Sequence, residues 1–397
     1  MWTGRHVVLG VSGGIASYKS CYLARRLTEA GARVDAVLTA GAAEFVRPAT
    51  FEALTGRPVL TSLWEPGRAL DHIRLAKDPD LVIVAPATAH LLARMAQGLA
   101  DDALTALLLA RAGPVLVAPA MNDAMYAAPS TEKNLALLRE RGVAIVGPAT
   151  GALAEGPSDQ PGRMSEPETI LHHAVRLLRA GGPLNGKRVL VTAGPTRESI
   201  DPVRIITNRS SGKMGYRIAQ EAWYRGGTVH LVTGPSAETA PEGVTIERVE
   251  STEAMESAVA AGLPGADVLI MAAAPADYSP ARRADSKIPR TEGTLSIPLD
   301  PTRDILIATR AMRKPGAVIV GFALETGAAA AGALNKLERK GLDLIVANDA
   351  LEPGAGFEGD TNRVLIISKR GERWDSGLTT KAKVAEVILD RVEKCIG

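Results

Sequence analysis

Short runs of Val, Ile and Leu recur along the chain and alternate with longer stretches in which apolar residues return every three or four positions. That is the pattern of strand followed by helix, repeated. The runs are apolar throughout rather than alternating, as in parallel strands covered on both faces. In the first half the pattern predicts strands at 5–11, 33–39, 81–85, 115–118 and 144–146, and helices at 15–30, 90–97, 103–110 and 131–141. A further helix at 167–180 stops at Gly181-Gly182-Pro183, where a C-terminal glycine and a following proline end the periodicity. The alternation restarts with strands at 188–192, 228–233, 245–249, 268–272, 318–322, 344–347 and 364–368, and helices between several of them, one at 213–225. Residues 281–297 are charged and show no period, which reads as a long loop of the kind that serves as a lid or stays unordered. There is no internal repeat.

Two α/β domains follow, 1–182 and 183–397. Five predicted strands suit a flavodoxin-like doubly wound layer in the first, and the second reads as another doubly wound, Rossmann-like layer. With 397 residues each domain can bury a core, and a mean hydropathy of +0.05 is that of an ordinary globular protein. Charge adds no polyanion-binding half: Lys plus Arg against Asp plus Glu is 18 to 17 before Gly182 and 28 to 27 after it. Four Trp, six Tyr and four Phe are too few to build stacking platforms along a nucleic acid groove. Neither nucleic acid nor membrane is an expected partner, since no signal peptide and no run of about 20 apolar residues is found. Cys21 and Cys395 have no metal-ligand or redox spacing, which fits a reducing cytoplasm.

The first strand runs into Ser12-Gly13-Gly14 and then a helix, so unpaired N–H groups and a positive dipole end face the carboxyl edge of the sheet. A single phosphate fits there; a tight turn with no ligand reads the same way. The segment is not G-x-G-x-x-G, so one phosphate of a mononucleotide suits it better than a dinucleotide. Pro86-Ala87-Thr88-Ala89 and Pro119-Ala120-Met121-Asn122 follow the third and fourth strands at the same edge. Together Gly10-Val11-Ser12-Gly13-Gly14-Ile15-Ala16, His72-Ile73-x-Leu75, Ala85 to Ala89 and Pro119-Ala120-Met121-Asn122-x-x-Met125-Tyr126 resemble the flavin-dependent cysteine decarboxylase family. The resemblance implies FMN held by Ser12, Gly13, Gly14, Thr39, Pro86, Thr88 and Met121, with His72 and Asn122 acting on the substrate. Gly98-Leu99-Ala100-Asp101-Asp102 departs from the family's Gly-x-Ala-Asn-Asp at Asp101.

In the second half, a strand opens into Ala193-Gly194-Pro195-Thr196-Arg197-Glu198, then Asp201-Pro202-Val203-Arg204, then Asn208-Arg209-Ser210-Ser211-Gly212-Lys213-Met214-Gly215. Hydroxyls, glycines and cations at a helix entrance suit a polyphosphate, although no Walker A motif is present. Ala272 to Tyr278 ends a strand in a carboxylate, Lys287 lies in the long loop, and Lys336 and Lys340 share one helix face. With Gly321-Phe322-Ala323-x-Glu325-Thr326 and Ala347-Asn348-Asp349, these strings resemble the phosphopantothenate-cysteine ligase family. The resemblance implies a nucleotide against Ala272, Ala273, Asp277, Lys287, Phe322, Lys336 and Lys340, and Asn208 and Arg204 serving an acyl-cytidylate step. The family's Lys-Asn-Pro-Asp-Ile segment stands here as Pro301-Thr302-Arg303-Asp304-Ile305, which keeps Asp304 and Ile305.

The two resemblances adjoin and cover almost the whole chain. They imply the bifunctional enzymes of coenzyme A synthesis: ligation of cysteine to 4'-phosphopantothenate with CTP and Mg2+ or Mn2+, then FMN-dependent decarboxylation to 4'-phosphopantetheine. Trimeric flavin domains and dimeric ligase domains, hence a dodecamer, are also implied. Two other readings stay open: a decarboxylase that stops at the ene-thiol, and a non-catalytic flavodoxin-like binding subunit. The main departure is at Gly151-Ala152-Leu153-Ala154-Glu155-Gly156, a flap in which many relatives carry a proton-donating cysteine where Glu155 stands. Glu155 is the expected substitute donor if desolvation under a closed flap favours a neutral carboxylic acid, and a solvated loop residue there, with another acid or water as donor, reads equally well.

Overall fold

The computed structural model describes residues 1–179, 181–290, 294–325, 329–349 and 359–397. Thr326 of the site motif, the last residue of the helix expected at 167–180 and residues 291–293 of the long loop lie outside them. The chain divides into two compact units, Met1–Leu178 and Arg179–Gly397.

The first unit is a five-stranded parallel sheet of β1 (His6–Val11), β2 (Arg33–Leu38), β3 (Leu81–Ala87), β4 (Val115–Pro119) and β5 (Ala144–Ile145), in the order β2-β1-β3-β4-β5. This is the flavodoxin-like order, and its connections reverse direction between β1 and β3. Every residue of β1 and β3 is buried, which is why both read as unbroken apolar runs. Helix Ser17–Glu29 supplies Leu23 and Leu27, fully buried side chains each contributing roughly 2 kcal/mol. Helices Pro48–Thr55 and Asp71–Lys77 were not predicted; at eight and seven residues each spans only about two turns.

The second unit holds an eight-stranded sheet: β6 (Arg188–Ala193), β7 (Thr228–Thr233), β8 (Thr245–Arg248), β9 (Val268–Met271), β10 (Val318–Glu325), β11 (Leu344–Asp349), β12 (Leu365–Ser368) and β13 (Arg373–Asp375). They lie in the order β8-β7-β6-β9-β10-β11-β12-β13. The first six strands are parallel and follow the doubly wound order of a dinucleotide-binding fold, with its switch point between β6 and β9. The edge differs from the expected parallel layer. Strand β12 runs antiparallel to β11 and joins β13 through a short turn, a connection that permits only antiparallel pairing.

Helices Lys213–Tyr224 and Lys381–Ile396 pack on one face of this sheet through Tyr216, Ile218, Ala219, Val384, Ile388 and Leu389. Helices Thr252–Gly262 and Ala329–Lys340 cover the other through Met255, Val259, Ala333 and Leu337. Among the described residues, three short antiparallel pairs stand outside the sheet. In one, Arg197–Ser199 pairs with Ile205–Thr207 around the Asp201 to Arg204 turn. In another, Tyr278–Pro280 pairs with Leu299–Pro301, so the described part of the expected loop 281–297 is the tip of a hairpin.

Candidate active sites

The first site lies at the carboxyl edge of the five-stranded sheet, at the switch point. Ser12 ties the end of β1 to that of β3: its Oγ donates to Pro86 O at 2.8 Å, and Thr88 N donates back to Ser12 Oγ at 3.1 Å. Thr39 and Thr88 cap helices Ala40–Ala43 and Ala89–Gln97. Three helix starts therefore surround one opening, with N–H groups directed at it. Gly13 is needed because a Cβ there would meet the backbone of Gly41 at 2.6 Å. The opening is a cleft of about 890 Å3, mostly apolar, lined by Ser12, Gly13, Gly14, Thr39, Thr88, Met121, Asn122 and Glu155 among others. Its size is that of a site for a mononucleotide-sized ligand.

One wall is a flap whose base is closed by Ala149 N donating to Arg163 O at 2.7 Å. At its tip Leu153 and Gly156 exchange backbone hydrogen bonds at 2.8 and 3.1 Å, so Ala154 and Glu155 form the turn. Asn122 caps helix Asp123–Tyr126, its Oδ1 accepting from Ala124 N at 2.9 Å and Met125 N at 3.3 Å. That leaves the amide group free to turn to the cleft, where Nδ2 donates to Glu155 Oε1. Glu155 itself is exposed rather than enclosed. Ser158 Oγ donates to Asp123 Oδ2 at 2.6 Å, holds that carboxyl below its usual range and pins the flap beyond its tip.

Two expected residues are placed differently. Pro86 lies one layer behind the cleft, offering its carbonyl to Ser12. His72 does not line the cleft; it sits on helix Asp71–Lys77, whose Leu75 and Ala76 join the core, and its Nδ1 is buried without a hydrogen bond. Two lining cations were missed because each is matched by acids distant in sequence or on another element. Lys19 Nζ, almost wholly buried, donates to Met164 O at 3.1 Å and Glu166 Oε1 at 2.8 Å. Arg94 donates to Asp102 Oδ2 at 2.7 Å and to Asp101, and its guanidinium lowers the Asp101 carboxyl. The aspartate standing for the family's asparagine thus gains an ion pair.

The second site lies at the switch point of the larger sheet. A cleft of about 540 Å3 brings together Asn208, Ala272, Ala273, Asp277, Phe322, Lys336 and Lys340. A smaller cavity of about 150 Å3 shares Ala273, Asp277, Phe322 and Lys340 with it and adds Asp304 and Ile305. Lys340 Nζ pairs with Asp304 Oδ2 at 3.0 Å, and Asp304 caps helix Ile305–Ala308. Asn208 Nδ2 donates to Pro275 O at 2.9 Å and Ala274 O at 3.3 Å, so what it offers a ligand is its carboxamide oxygen. Gly215 lets helix Lys213–Tyr224 approach β6, since a Cβ would meet Ala193 Cβ at 2.5 Å.

Arg204 and Lys287 line neither cavity. Arg204 Nη2 donates to Ile288 O at 2.6 Å, tying the first hairpin to the tip of the second, where Lys287 is exposed. Asp201 anchors the same junction. Burial raises its carboxyl, but the N–H groups of Val203, Arg204 and Ile288 outweigh this and lower it. Sequence reading missed Asn362 and Lys381, which also line the larger cleft, as does Asn348 of the Ala347-Asn348-Asp349 string, to which no role was given. Thr380 capping an apolar helical period was a legible signal for Lys381; Asn362 had none. No group of three or more His, Cys, Asp or Glu able to hold a metal occurs among the described residues, and no described helix is long and apolar enough to cross a membrane.

Residues 1–179 match the family model described as Flavoprotein, and residues 184–396 the DNA/pantothenate metabolism flavoprotein C-terminal domain. The chain is 44% identical over 398 residues to the coenzyme A biosynthesis bifunctional protein CoaBC of Vibrio vulnificus, covering 99% of this chain and 98% of that protein. It is 45% identical over 403 residues to CoaBC of Mycobacterium tuberculosis, covering 98% and 96%. Among solved structures, the C-terminal domain of a CoaBC protein aligns at 41% identity with a TM-score of 0.47, covering 54% of this chain and 97% of that one.

Proposed function

The chain belongs to the family of bifunctional coenzyme A biosynthesis enzymes, with decarboxylase and ligase activities, and on that premise we propose how its two units divide the work. The first is the decarboxylase unit, with FMN as its cofactor and 4'-phosphopantothenoylcysteine as its substrate. The second is the ligase unit, taking CTP, 4'-phosphopantothenate and cysteine. The observation that supports this division is the pair of separate clefts, each at the switch point of its own sheet and each lined by the corresponding motif.

In the first cleft the chain's residues fit a flavin mononucleotide: the Ser12-Gly13-Gly14 turn and the helix starts would take its one phosphate, and the apolar walls its ring. When bound, FMN would supply the acceptor for two-electron oxidation of the thiol carbon, which lets carbon dioxide leave from the adjacent carbon, and the hydride that later reduces the ene-thiol. Asn122, with its oxygen committed to a helix cap, presents an N–H donor suited to the carboxylate that leaves. Glu155 on the flap would give the proton that accompanies the hydride returned to the ene-thiol. His72 is absent from the cleft of its own chain, so it would serve the cleft of a second copy, in keeping with trimeric flavin units.

In the second cleft, attack of the 4'-phosphopantothenate carboxylate on the α-phosphorus of CTP forms an acyl-cytidylate and releases pyrophosphate. The amine of cysteine then displaces CMP. Lys336 and Lys340 line this cleft and would meet the phosphate charge of the nucleotide, and Asn208 would accept an N–H of the substrate. A divalent cation would be held chiefly by the triphosphate, as Mg2+ usually is, with Asp277 and Asp304 as its nearest carboxylates in the cavity. Arg204 and Lys287, on hairpins outside both cavities, would act across a dimer.

The test is the full chain incubated with CTP, Mg2+, cysteine and 4'-phosphopantothenate. Formation of 4'-phosphopantetheine with release of CMP, pyrophosphate and carbon dioxide supports the reading. A product that stays at the ene-thiol mass would remove the final protonation from it.

A further inference from the structure

We propose that Arg313 is a positioning residue of the ligase cleft: it fixes the main chain at Lys340 and beside Asp304, and so sets where the Lys340 ammonium meets the nucleotide. The inference rests on the ligase reading of this unit. Arg313 itself lines neither cavity of the site, whereas Lys340 lines both and Asp304 the smaller. Its influence therefore passes through the backbone.

The end of helix Ala329–Lys340 shows what Arg313 holds. Gly341 has a φ of +60° and donates its N–H to Glu338 O at 3.1 Å, while Leu342 N donates to Leu337 O at 3.0 Å. This is a Schellman closure, built on the left-handed conformation that glycine adopts without strain. It satisfies two of the last carbonyls of the helix and leaves that of Lys340, with that of Gly341 beyond it, to another donor. Arg313 takes both: Nη2 donates to Lys340 O at 3.0 Å and Nη1 to Gly341 O at 2.7 Å. The same Nη2 donates to Leu306 O at 2.7 Å, two residues beyond Asp304 on helix Ile305–Ala308.

One guanidinium thus joins the segment that ends in Lys340 to the segment that starts at Asp304. Those two residues pair across the joint, Nζ to Oδ2 at 3.0 Å. A planar fork with donors in fixed directions suits this task, whereas a lysine ammonium is a single point on a flexible stem. Stability alone does not account for the arrangement. No carboxylate pairs with Arg313 among the described residues, and its Nε is buried without an acceptor. Burial, and then the Arg310 charge, lower its pKa from the usual arginine value, although Asp343 acts against this. Without the anchor, the backbone under Lys340 can shift, and its ammonium meets a phosphate in poorer geometry.

The test is steady-state ligation and calorimetric CTP titration with the full-length chain carrying Arg313→Gln, Lys340→Gln or both. Arg313→Gln is expected to raise the KM and Kd for CTP roughly fivefold, and Lys340→Gln about tenfold or more, the loss of one charge-assisted bond. The KM for cysteine should stay unchanged in Arg313→Gln. A merely structural lesion would lower Tm or the active fraction and leave the KM values alone. Because Arg313 acts through Lys340, its substitution should add little in the Lys340→Gln background. Should Arg313→Gln fail to fold, Arg313→Lys carries the test, since one ammonium cannot hold all these carbonyls and the KM for CTP should rise again. Unchanged CTP affinity in the folded variants, equal rises for CTP and cysteine, or fully additive losses in the double variant overturn the proposal. Coupled loss of CTP affinity in a chain that forms no amide bond would keep the positioning role and reject the ligase reading.

Discussion

Asn122 donates its side-chain amide to the carboxylate of Glu155 while its own oxygen caps the helix that follows. The cap fixes which end of the carboxamide faces the cleft, and the flap brings an acid to that end. Glu155 is therefore within reach of whatever Asn122 holds.

Glu155→Gln is expected to release carbon dioxide but accumulate ene-thiol, because an amide cannot supply the proton. Glu155→Cys is expected to retain saturated product. The residue is exposed at a turn tip, so stability should change by no more than about 0.5 kcal/mol in either variant. Product masses from the two variants decide the matter. Full turnover by the Gln variant would dismiss the carboxyl as donor.

The position of His72 outside the cleft leads to a complementation experiment. His72→Asn and Asn122→Asp should each lack decarboxylation; Asp keeps the helix cap but places a second carboxylate beside Glu155. Co-expressed as mixed oligomers, the two should recover part of the activity if one protomer supplies His72 to another's cleft. No recovery in verified mixed oligomers would mean that each site is complete within one chain.

The two doubly wound layers were legible because their parallel strands are buried on both faces and read as apolar runs, whereas the antiparallel edge of the second was not, and the glycine-rich turns were legible because helix starts at a sheet edge favour anions. His72 shows the limit of such reading: a motif names a residue but does not place it in the cleft of its own chain. The Arg197–Ser199 and Tyr278–Pro280 hairpins were not foreseen, since three-residue strands have no detectable period. Asn362 and Lys381 reach the ligase cleft only through the topology, far in sequence from the Asn208 to Gly215 motif that they face.

Asp35 provides a pH-dependent test of the first unit. It is buried, with His6 Nε2 at 2.6 Å and Arg57 Nε at 2.7 Å. Burial raises its carboxyl, but these two partners dominate and bring it down to about 2 from the usual 3.8. A depressed folded-state value gives stability that is present above the unfolded value and lost as pH falls from about 4 to 2. The difference is about 2 kcal/mol near neutral pH. The Tm gap between wild type and Asp35→Asn should thus narrow steadily from pH 5 to pH 2. A gap that stays constant would show that the carboxylate charge contributes nothing.

Asn208→Asp should impair ligation without affecting decarboxylation of supplied 4'-phosphopantothenoylcysteine. The amide donates to two backbone carbonyls, and a carboxylate in its place repels them and adds negative charge beside an anionic intermediate. The variant should either fail to form acyl-cytidylate or accumulate it, as quenched-flow samples analysed by mass would reveal. Normal ligation would remove Asn208 from the site.

The central claim, two chemistries on two units of one chain, is tested most directly by product analysis of His72→Asn supplied with CTP, Mg2+, cysteine and 4'-phosphopantothenate. The account predicts that 4'-phosphopantothenoylcysteine accumulates at the wild-type rate of ligation, with no release of carbon dioxide. Loss of both activities in the folded variant, or formation of 4'-phosphopantetheine, would contradict it.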